Sequence, residues 1–383
     1  MRRINSIFEA NKHMTTYIYT QQGWPTVTWD FTSVNAVLAD VTKEQQKLKH
    51  RVEMLPEFLR REANAYMLTE ELMGNFELAD IELKKEEVLS CFAEKTGTDF
   101  QHAVDFSEQI THLSDLLWDA CQHSIAPLTE ERLYQWHHTI FPTGRSGAYR
   151  IQVGAWRNNP IDRPLEVYWG VPPHEKVLFE APPSEGLSKD MYKYLSWFNT
   201  KFQVDPLIKA GIAHLGFATI HPFDDGNGRV ARLITSLQLA RATESKICLY
   251  SLSAQLKKEK TNYYQMLEQT QKGTLDITEW LIWFLKTVKK AINNAEKPLA
   301  GTFKKARFWE KQIGMAFNPR QIKMINRLIE GLTVKLNTSV WGNLCECSQD
   351  TALRDIQDLL NKKVLVNGLG GGRSTHYILR ENK

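Results

Sequence analysis

Twelve residues, His221 to Arg232, set one imidazole, two adjacent carboxylates, an asparagine between two glycines, and two arginines in a row: His-Pro-Phe-Asp-Asp-Gly-Asn-Gly-Arg-Val-Ala-Arg. Pro222 cannot sit in a helix interior, so a helix ending near Ile220 must stop and turn there. Gly226, Asn227 and Gly228 are residue types that accept positive φ and leave backbone N–H groups free. The spacing of Val230, Leu233, Ile234 and Leu237 then predicts a new helix. Its first turn carries unpaired N–H groups and the positive end of the helix dipole, an anion site. Arg229 and Arg232, three residues apart, lie on adjoining parts of one face and can grip phosphate oxygens through charge-assisted bonds. Asp225 beside an anion pocket is odd unless a cation sits between them, and Mg²⁺ bridging carboxylate and phosphate resolves it. His221, with an ordinary pKa near neutrality, can accept a proton from an incoming hydroxyl. The assembled chemistry is nucleotide phosphate, Mg²⁺ and a histidine base. Each piece has a plainer reading, since a lone His is usually structural and an i, i+3 Arg pair usually solvated. The conjunction carries the information.

These residues must be held by a largely helical scaffold. The chain has 383 residues, 42% hydrophobic and 24% charged, with a net charge of +4. Those values exclude disordered and collagen-like classes, and the length allows two or three domains. The longest apolar run, Trp280 to Leu285, is far short of the ~20 residues that span a bilayer. The N-terminal Arg2 and Arg3 are followed by no apolar stretch, which argues against a secretory signal. Five scattered cysteines do not form a disulfide framework, so a cytoplasmic location is expected. Helical spacing predicts helices over 33–54, 58–93 (broken near Gly74), 108–122, 128–140, 188–203, 205–220, 257–273 and 276–293, the last with Asp276 as N-cap. Prolines and short β-rich pieces over 147–183 predict a hairpin and loop segment. From Gly301 to Lys383 the net charge is +7, leaving −3 for residues 1–300. That basic tail reads as helix (319–330), short helix (337–345), helix (348–361), strand (363–366), Gly-rich turn and strand (375–379), the order of a winged helix-turn-helix.

The 221–232 segment is similar to the Fic family signature, His-x-Phe-x-(Asp/Glu)-Gly-Asn-Gly-Arg-x-x-Arg, at every specified position. GAYR (147–150) and VYWGVPPHEKV (167–177) resemble that family's flap, SLSAQLKKEKTNYYQMLEQTQKGTLDITEWLIWFL (251–285) its closing helices, and the tail an appended winged helix. The resemblance implies a mainly α fold: a Fic-type helical bundle with a β-hairpin flap, plus the winged-helix domain. It divides the chain into an N-terminal helical region (1–105), a catalytic domain (106–293), a linker (294–312) and the tail domain (313–383). The implied activity is transfer of AMP from ATP to a hydroxyl of a target protein, with pyrophosphate leaving. His221 then matches the base, Asp225 the Mg²⁺ ligand, Gly226, Asn227 and Gly228 the anion hole, and Arg229 and Arg232 the phosphate-binding arginines. Phe223 matches the motif's aromatic, a core anchor for the loop. Tyr263 and Tyr264 fall where the family often has aromatics near the adenine, although core packing explains them equally well. The target is expected to dock on the flap around 165–173. Self-modification and a homodimer are further expectations, and no membrane partner is. Two rivals keep the fold or its parts: a transferase of another phosphate-containing group, and a nucleotide-sensing DNA-binding regulator.

Many relatives carry an inhibitory helix, marked (Ser/Thr)-x-x-x-Glu-(Gly/Asn), whose Glu pairs with the second motif arginine. Here the pattern lands within 71–93 on Asn75-Phe76-Glu77-Leu78-Ala79-Asp80, which puts Ala79 at the inhibitory position and removes the brake. A shifted register would recruit Glu70, Glu71 or Glu77 instead. The GLGGGRST stretch (368–375) lacks the Gly-Lys-(Ser/Thr) ending of a phosphate loop. Cys345 and Cys347 have too few companions for zinc, and His214 is expected to support the core. DNA binding by the tail ranks below protein contacts or dimerisation. The helix over 348–360 offers Gln349, Arg354 and Gln357, with Arg373 on the wing, but its Asp350, Asp355 and Asp358 would repel a phosphate backbone.

Overall fold

A computed structural model describes residues 16–100, 103–169, 176–201, 204–332, 334–368 and 376–380. The chain divides into two compact units, Met1–Met54 with Arg60–Glu296, and Leu55–Leu59 with Lys297–Lys383. It is mainly α, as the 3.6-residue periodicity predicts. None of the described helices is long and apolar enough to cross a membrane.

The first unit holds α1 (Phe31–Glu53), α2 (Glu57–Glu77, whose first residues belong to the other unit), α3 (Lys85–Thr96), α4 (Glu108–Gln122) and α5 (Glu130–Ile140). Two short antiparallel pairs follow, β1 (Arg145–Ser146) with β2 (Tyr149–Arg150) and β3 (Glu166–Trp169) with β4 (Lys176–Glu180). Then come α6 (Leu187–Asn199), α7 (Pro206–Ile220), α8 (Asn227–Thr243), α9 (Leu252–Lys258), α10 (Lys260–Gln271) and α11 (Thr278–Asn294). The hairpin expected over 147–183 is thus two pairs, and residues 170–173 of the expected flap lie outside the described residues.

α7 positions the site. Its sequence, PLIKAGIAHLGFATI, is buried on almost every side, as a helix without a polar face must be. Asp205 caps its start by accepting from Leu207 N–H, and Pro206 sits where its missing N–H costs nothing. Ala213, Phe217 and Ile220 join Val230, Leu233, Ile234 and Leu237 of α8 in one core cluster. The two helices flanking the motif are therefore fixed before the loop between them is considered.

Several boundaries differ from expectation. α2 runs through Gly74 and ends at Glu77. A Cβ at Gly74 would lie 2.3 Å from Ala254 N, so this glycine serves close approach to α9 rather than a break. The turn comes later, with Asp80 at φ 57. The helix expected over 257–273 is two, separated at Glu259. Asp276 Oδ1 accepts from Thr278 N–H at 2.9 Å, one residue outside the assigned cap.

The segment read as a linker is instead a helix, α12 (Glu296–Glu310). Pro298 falls in its first turn, where proline is tolerated, and Leu299, Thr302, Phe303 and Ala306 form a buried stripe at helical spacing. After it come α13 (Pro319–Glu330), α14 (Thr338–Leu344), α15 (Gln349–Asn361) and the antiparallel pair β5 (Leu365–Asn367) and β6 (Tyr377–Leu379). Trp341, Met324, Ile325, Ile356, Leu359 and Leu365 form the core of this second unit. The acidic residues of α15 do not all face outward, contrary to the sequence reading. Asp355 is buried and accepts from Asn318 Nδ2 at 2.7 Å and Arg320 Nε at 2.7 Å, while Asp358 accepts from Gln321 Nε2 at 2.7 Å. Asp355 is thus paired with Arg320 and buried, while Asp358 also pairs with Lys362 and stays half-exposed. Residues 369–375, including Arg373 and most of the Gly-rich stretch, lie outside the described residues. All five cysteines are free. No group of three or more metal-ligating side chains occurs among the described residues.

Candidate active site

The motif loop begins where α7 stops. His221 is its C-cap residue at φ 51, ψ 59, a left-handed conformation that non-glycine residues seldom adopt. The ring's Nδ1 lies 3.2 Å from Ala218 O. A carbonyl only accepts, so Nδ1 carries the proton and Nε2 keeps its lone pair. Burial, partly opposed by that carbonyl, pushes the His221 pKa down to about 4. Near neutral pH the ring is neutral and in one tautomer, the state a general base requires.

Asn227 closes the loop. Its Oδ1 accepts from Phe223 N–H at 2.9 Å and its Nδ2 donates to Phe223 O at 2.7 Å. The asparagine expected to line an anion hole thus uses its side chain as a clasp and has its backbone N–H left for an anion. Gly226 stands at φ 78, and a Cβ there would lie 2.7 Å from Phe141 Cε2. The first bond of α8 runs from Val230 N–H to Gly226 O, so Asn227, Gly228 and Arg229 have N–H groups with no intrahelical acceptor. Gly228 lets Arg232 approach, since a Cβ would lie 3.2 Å from Arg232 Nη1.

Both arginines are buried. The Arg229 guanidinium lies between the Phe141 and Phe76 rings, 4.5 and 5.9 Å from their centroids. Burial lowers its pKa to about 10, so it remains charged. Arg232 donates through Nε to Asn75 Oδ1 at 2.7 Å and through Nη2 to Asn75 O at 2.8 Å. The three alternative acids are engaged elsewhere. Glu70 pairs with Lys85, Glu77 with Lys257, and the buried Glu71 accepts from Ser236, Ser251 and Ser253. Ala79 is exposed on the turn after α2 and lines the same cavity as Arg232.

That cavity, of about 230 Å³, brings together His221, Asp225, Gly226, Asn227, Gly228, Arg229, Arg232, Tyr263 and Ala79. Leu178 and Phe179 of β4 form one wall, and Tyr264, Leu267 and Gln271 of α10 another. The residues that the sequence assigns to base, metal, phosphate, adenine and regulatory positions line this one space. Asp225 is its half-exposed carboxylate, held by the Ser146 hydroxyl, with Arg229 Nη2 at 3.8 Å. Glu268 also lines the cavity but is paired with Lys176 and Lys272 at 2.7 Å each, which leaves Asp225 as the carboxylate suited to a Mg²⁺ ion that takes its remaining oxygens from phosphate and water. The Tyr263 hydroxyl lies 2.8 Å from His214 Nε2, while His214 Nδ1 lies 2.8 Å from Thr235 Oγ1. His214 is therefore a buried support for the cavity wall, and burial pushes its pKa down to about 3.

Two contributors were not visible in the sequence. His137 of α5 stacks on Phe223, with ring centroids 4.0 Å apart at 5°, and its Nε2 lies 3.0 Å from Asp225 O. Arg157 donates to His221 O at 2.7 Å. Neither lies near the motif in sequence, so no spacing rule points to it.

Residues 127–239 match the family model described as Fic/DOC family. This segment is similar to the Fic/DOC family. Residues 17–98 match a second model, described only as a domain of unknown function (DUF4172). The protein adenylyltransferase Fic of Aedes aegypti is 35% identical to the chain over 98 residues, which make up 25% of this chain and 18% of that one. The chain thus matches less than a fifth of that relative's length. A Fic family protein from Desulfovibrio desulfuricans G20 superposes with a TM-score of 0.59 over 94% of this chain and 99% of its own, at 16% identity. A Fic-domain signalling protein from Bacteroides thetaiotaomicron gives 0.50 over 70% and 97%, at 20% identity. These two likenesses establish the fold. The motif loop, α7 and α8 up to Leu239 fall inside the matched segment.

The three depressed histidines predict how stability follows pH. His137, His214 and His221 lie at about 4, 3 and 4 in the folded chain, against an ordinary value of 6.5. Protonation thus favours the unfolded chain, so their stabilising effect is complete above pH ~6.5 and is lost as pH falls towards 4. The midpoint of thermal unfolding is expected to fall by several degrees from pH 7 to pH 4.5. A flat profile over that range would contradict the burial argument.

Proposed function

We propose that the chain transfers AMP from ATP to a hydroxyl of a target protein and releases pyrophosphate. The carrying observation is a neutral His221, held as the Nδ1–H tautomer, in one cavity with the open α8 N-terminus and two buried arginines. The hydroxyl oxygen attacks the α-phosphorus as its proton passes to His221 Nε2. The P–O bond to the β-phosphate breaks, and the electron pair leaves with pyrophosphate. Arg229, Arg232 and the N–H groups of Gly228 and Arg229 neutralise charge on the phosphates, the larger part of catalysis in such reactions. Tyr263, Tyr264 and Leu267 offer apolar surface to the base. Asp225 together with nucleotide phosphates would hold Mg²⁺, which adds positive charge where negative charge develops. The naming of the Aedes aegypti relative as an adenylyltransferase supports this reading.

The target would dock along β3, whose Tyr168 is exposed, through main-chain pairing that sets register without reading sequence. In this reading the chain works in the cytoplasm. The test is incubation with labelled ATP and Mg²⁺, with and without cell lysate, followed by detection of label on protein.

Ala79 leaves Arg232 without an acidic partner, so the enzyme is proposed to be unbraked. Ala79→Glu is expected to lower transfer on the order of 10–100-fold by competing with phosphate for Arg232. Steady-state rates of the two proteins check this, and equal rates would show that residue 79 is not the regulatory position.

A further inference from the structure

Arg157 is a buried cation that spends its donors on neutral oxygens. Its Nε donates to His221 O at 2.7 Å, and Nη2 to Pro182 O at 2.6 Å and to Ile220 O at 3.5 Å. Nη1 donates to Asn159 Oδ1 at 2.5 Å, and the backbone N–H of Arg157 donates to Pro222 O at 2.8 Å. One residue thus holds three consecutive carbonyls, those of Ile220, His221 and Pro222. They sit where α7 ends, and terminal carbonyls have no intrahelical donor. A planar fork of five N–H groups can serve several of them at once, which an ammonium cannot. His221 has the left-handed backbone that needs such restraint, because the surroundings must over-determine a conformation its side chain disfavours.

We infer that Arg157 is a positioning residue for the base, fixing the backbone of Ile220–Pro222 so that the His221 ring keeps one orientation and one tautomer. This rests on the AMP-transfer reading and deepens it. Its guanidinium charge acts in the same direction, since it disfavours a protonated His221. A purely structural Arg157, tying Pro182 to the end of α7, would make a different prediction. Its loss would lower stability and leave the turnover of folded protein unchanged.

The experiment uses the full chain and two variants, Arg157→Lys and Asn159→Ala. Turnover and the KM for ATP are measured beside thermal unfolding, and the His221 ring is followed by side-chain ¹⁵N NMR without nucleotide. Arg157→Lys is expected to lose turnover on the order of 10–100-fold with the KM for ATP unchanged. Its His221 ring signals should move from a single Nδ1–H form towards a mixture of tautomers. Asn159→Ala, which removes one acceptor of the guanidinium, should show a smaller change in the same direction. Wild-type turnover per folded molecule together with an unchanged His221 spectrum would overturn the inference. If Arg157→Lys does not fold, Asn159→Ala carries the same readouts, and no change in it is the overturning result. If the wild-type chain transfers no AMP, the transfer reading fails by itself, and the His221 spectra of the variants decide the role of Arg157.

Discussion

His221→Ala is expected to lower AMP transfer by about 10²–10⁴-fold while nucleotide still binds. The proposed phosphate contacts come from the start of α8, Arg229 and Arg232, none of which leans on the His221 ring. What is lost is a neutral, oriented ring whose Nε2 is free to accept a proton at pH 7. Alanine keeps the Cβ that strains φ 51 and loses the ring's bond to Ala218 O, so some loss of thermal stability will accompany the loss of rate. His221→Asn separates the two effects, because asparagine accepts the left-handed backbone but cannot serve as a base. Single-turnover rates and calorimetric nucleotide affinity for both variants provide the check. Transfer surviving in His221→Asn within tenfold of wild type would remove His221 as the base.

The second large effect is expected of Asp225→Asn. The amide is isosteric: its oxygen can accept from the Gly226 N–H as Oδ1 does, and its NH₂ can donate to the Ser146 hydroxyl that now donates to Oδ2, so the loop should hold. Only the charge changes. Transfer is expected to fall on the order of 10²–10³-fold, and the Mg²⁺ concentration that supports nucleotide binding should rise. A Mg²⁺ titration of nucleotide affinity reads this without relying on turnover. An unaltered Mg²⁺ dependence would show that Asp225 is not the metal ligand.

The chemistry was legible in the sequence because it is local. Pro222, the Gly-Asn-Gly turn and the apolar spacing of α8 dictate a strand-free helix–loop–helix, and the charged residues fall within it. What supports that loop was not legible. Arg157 reaches His221 across 64 positions, His137 reaches Asp225 across 88, and Asn75 reaches Arg232 across 157. Contacts at such separations leave no periodicity, and Asn75 and His137 look like ordinary helical polar residues until tertiary packing buries them. α12 was misread for a related reason. Pro298 and Gly301 suggested a linker, yet the proline falls in the first turn and the glycine is exposed, so neither opposes a helix whose stripe is buried. Gly74 misled in the other direction, since its role is steric space for α9, which depends on a backbone 180 positions away. Asp355 and Asp358 show the same limit, because their charge is visible in sequence while their partners on α13 are not.

The most direct test is mass spectrometry of the chain and of native lysate after incubation with ATP and Mg²⁺. The account predicts an AMP adduct on a protein hydroxyl, present with the wild-type chain and absent with His221→Ala. No adduct with ATP or any other nucleoside triphosphate, from a chain shown to be folded, would contradict it.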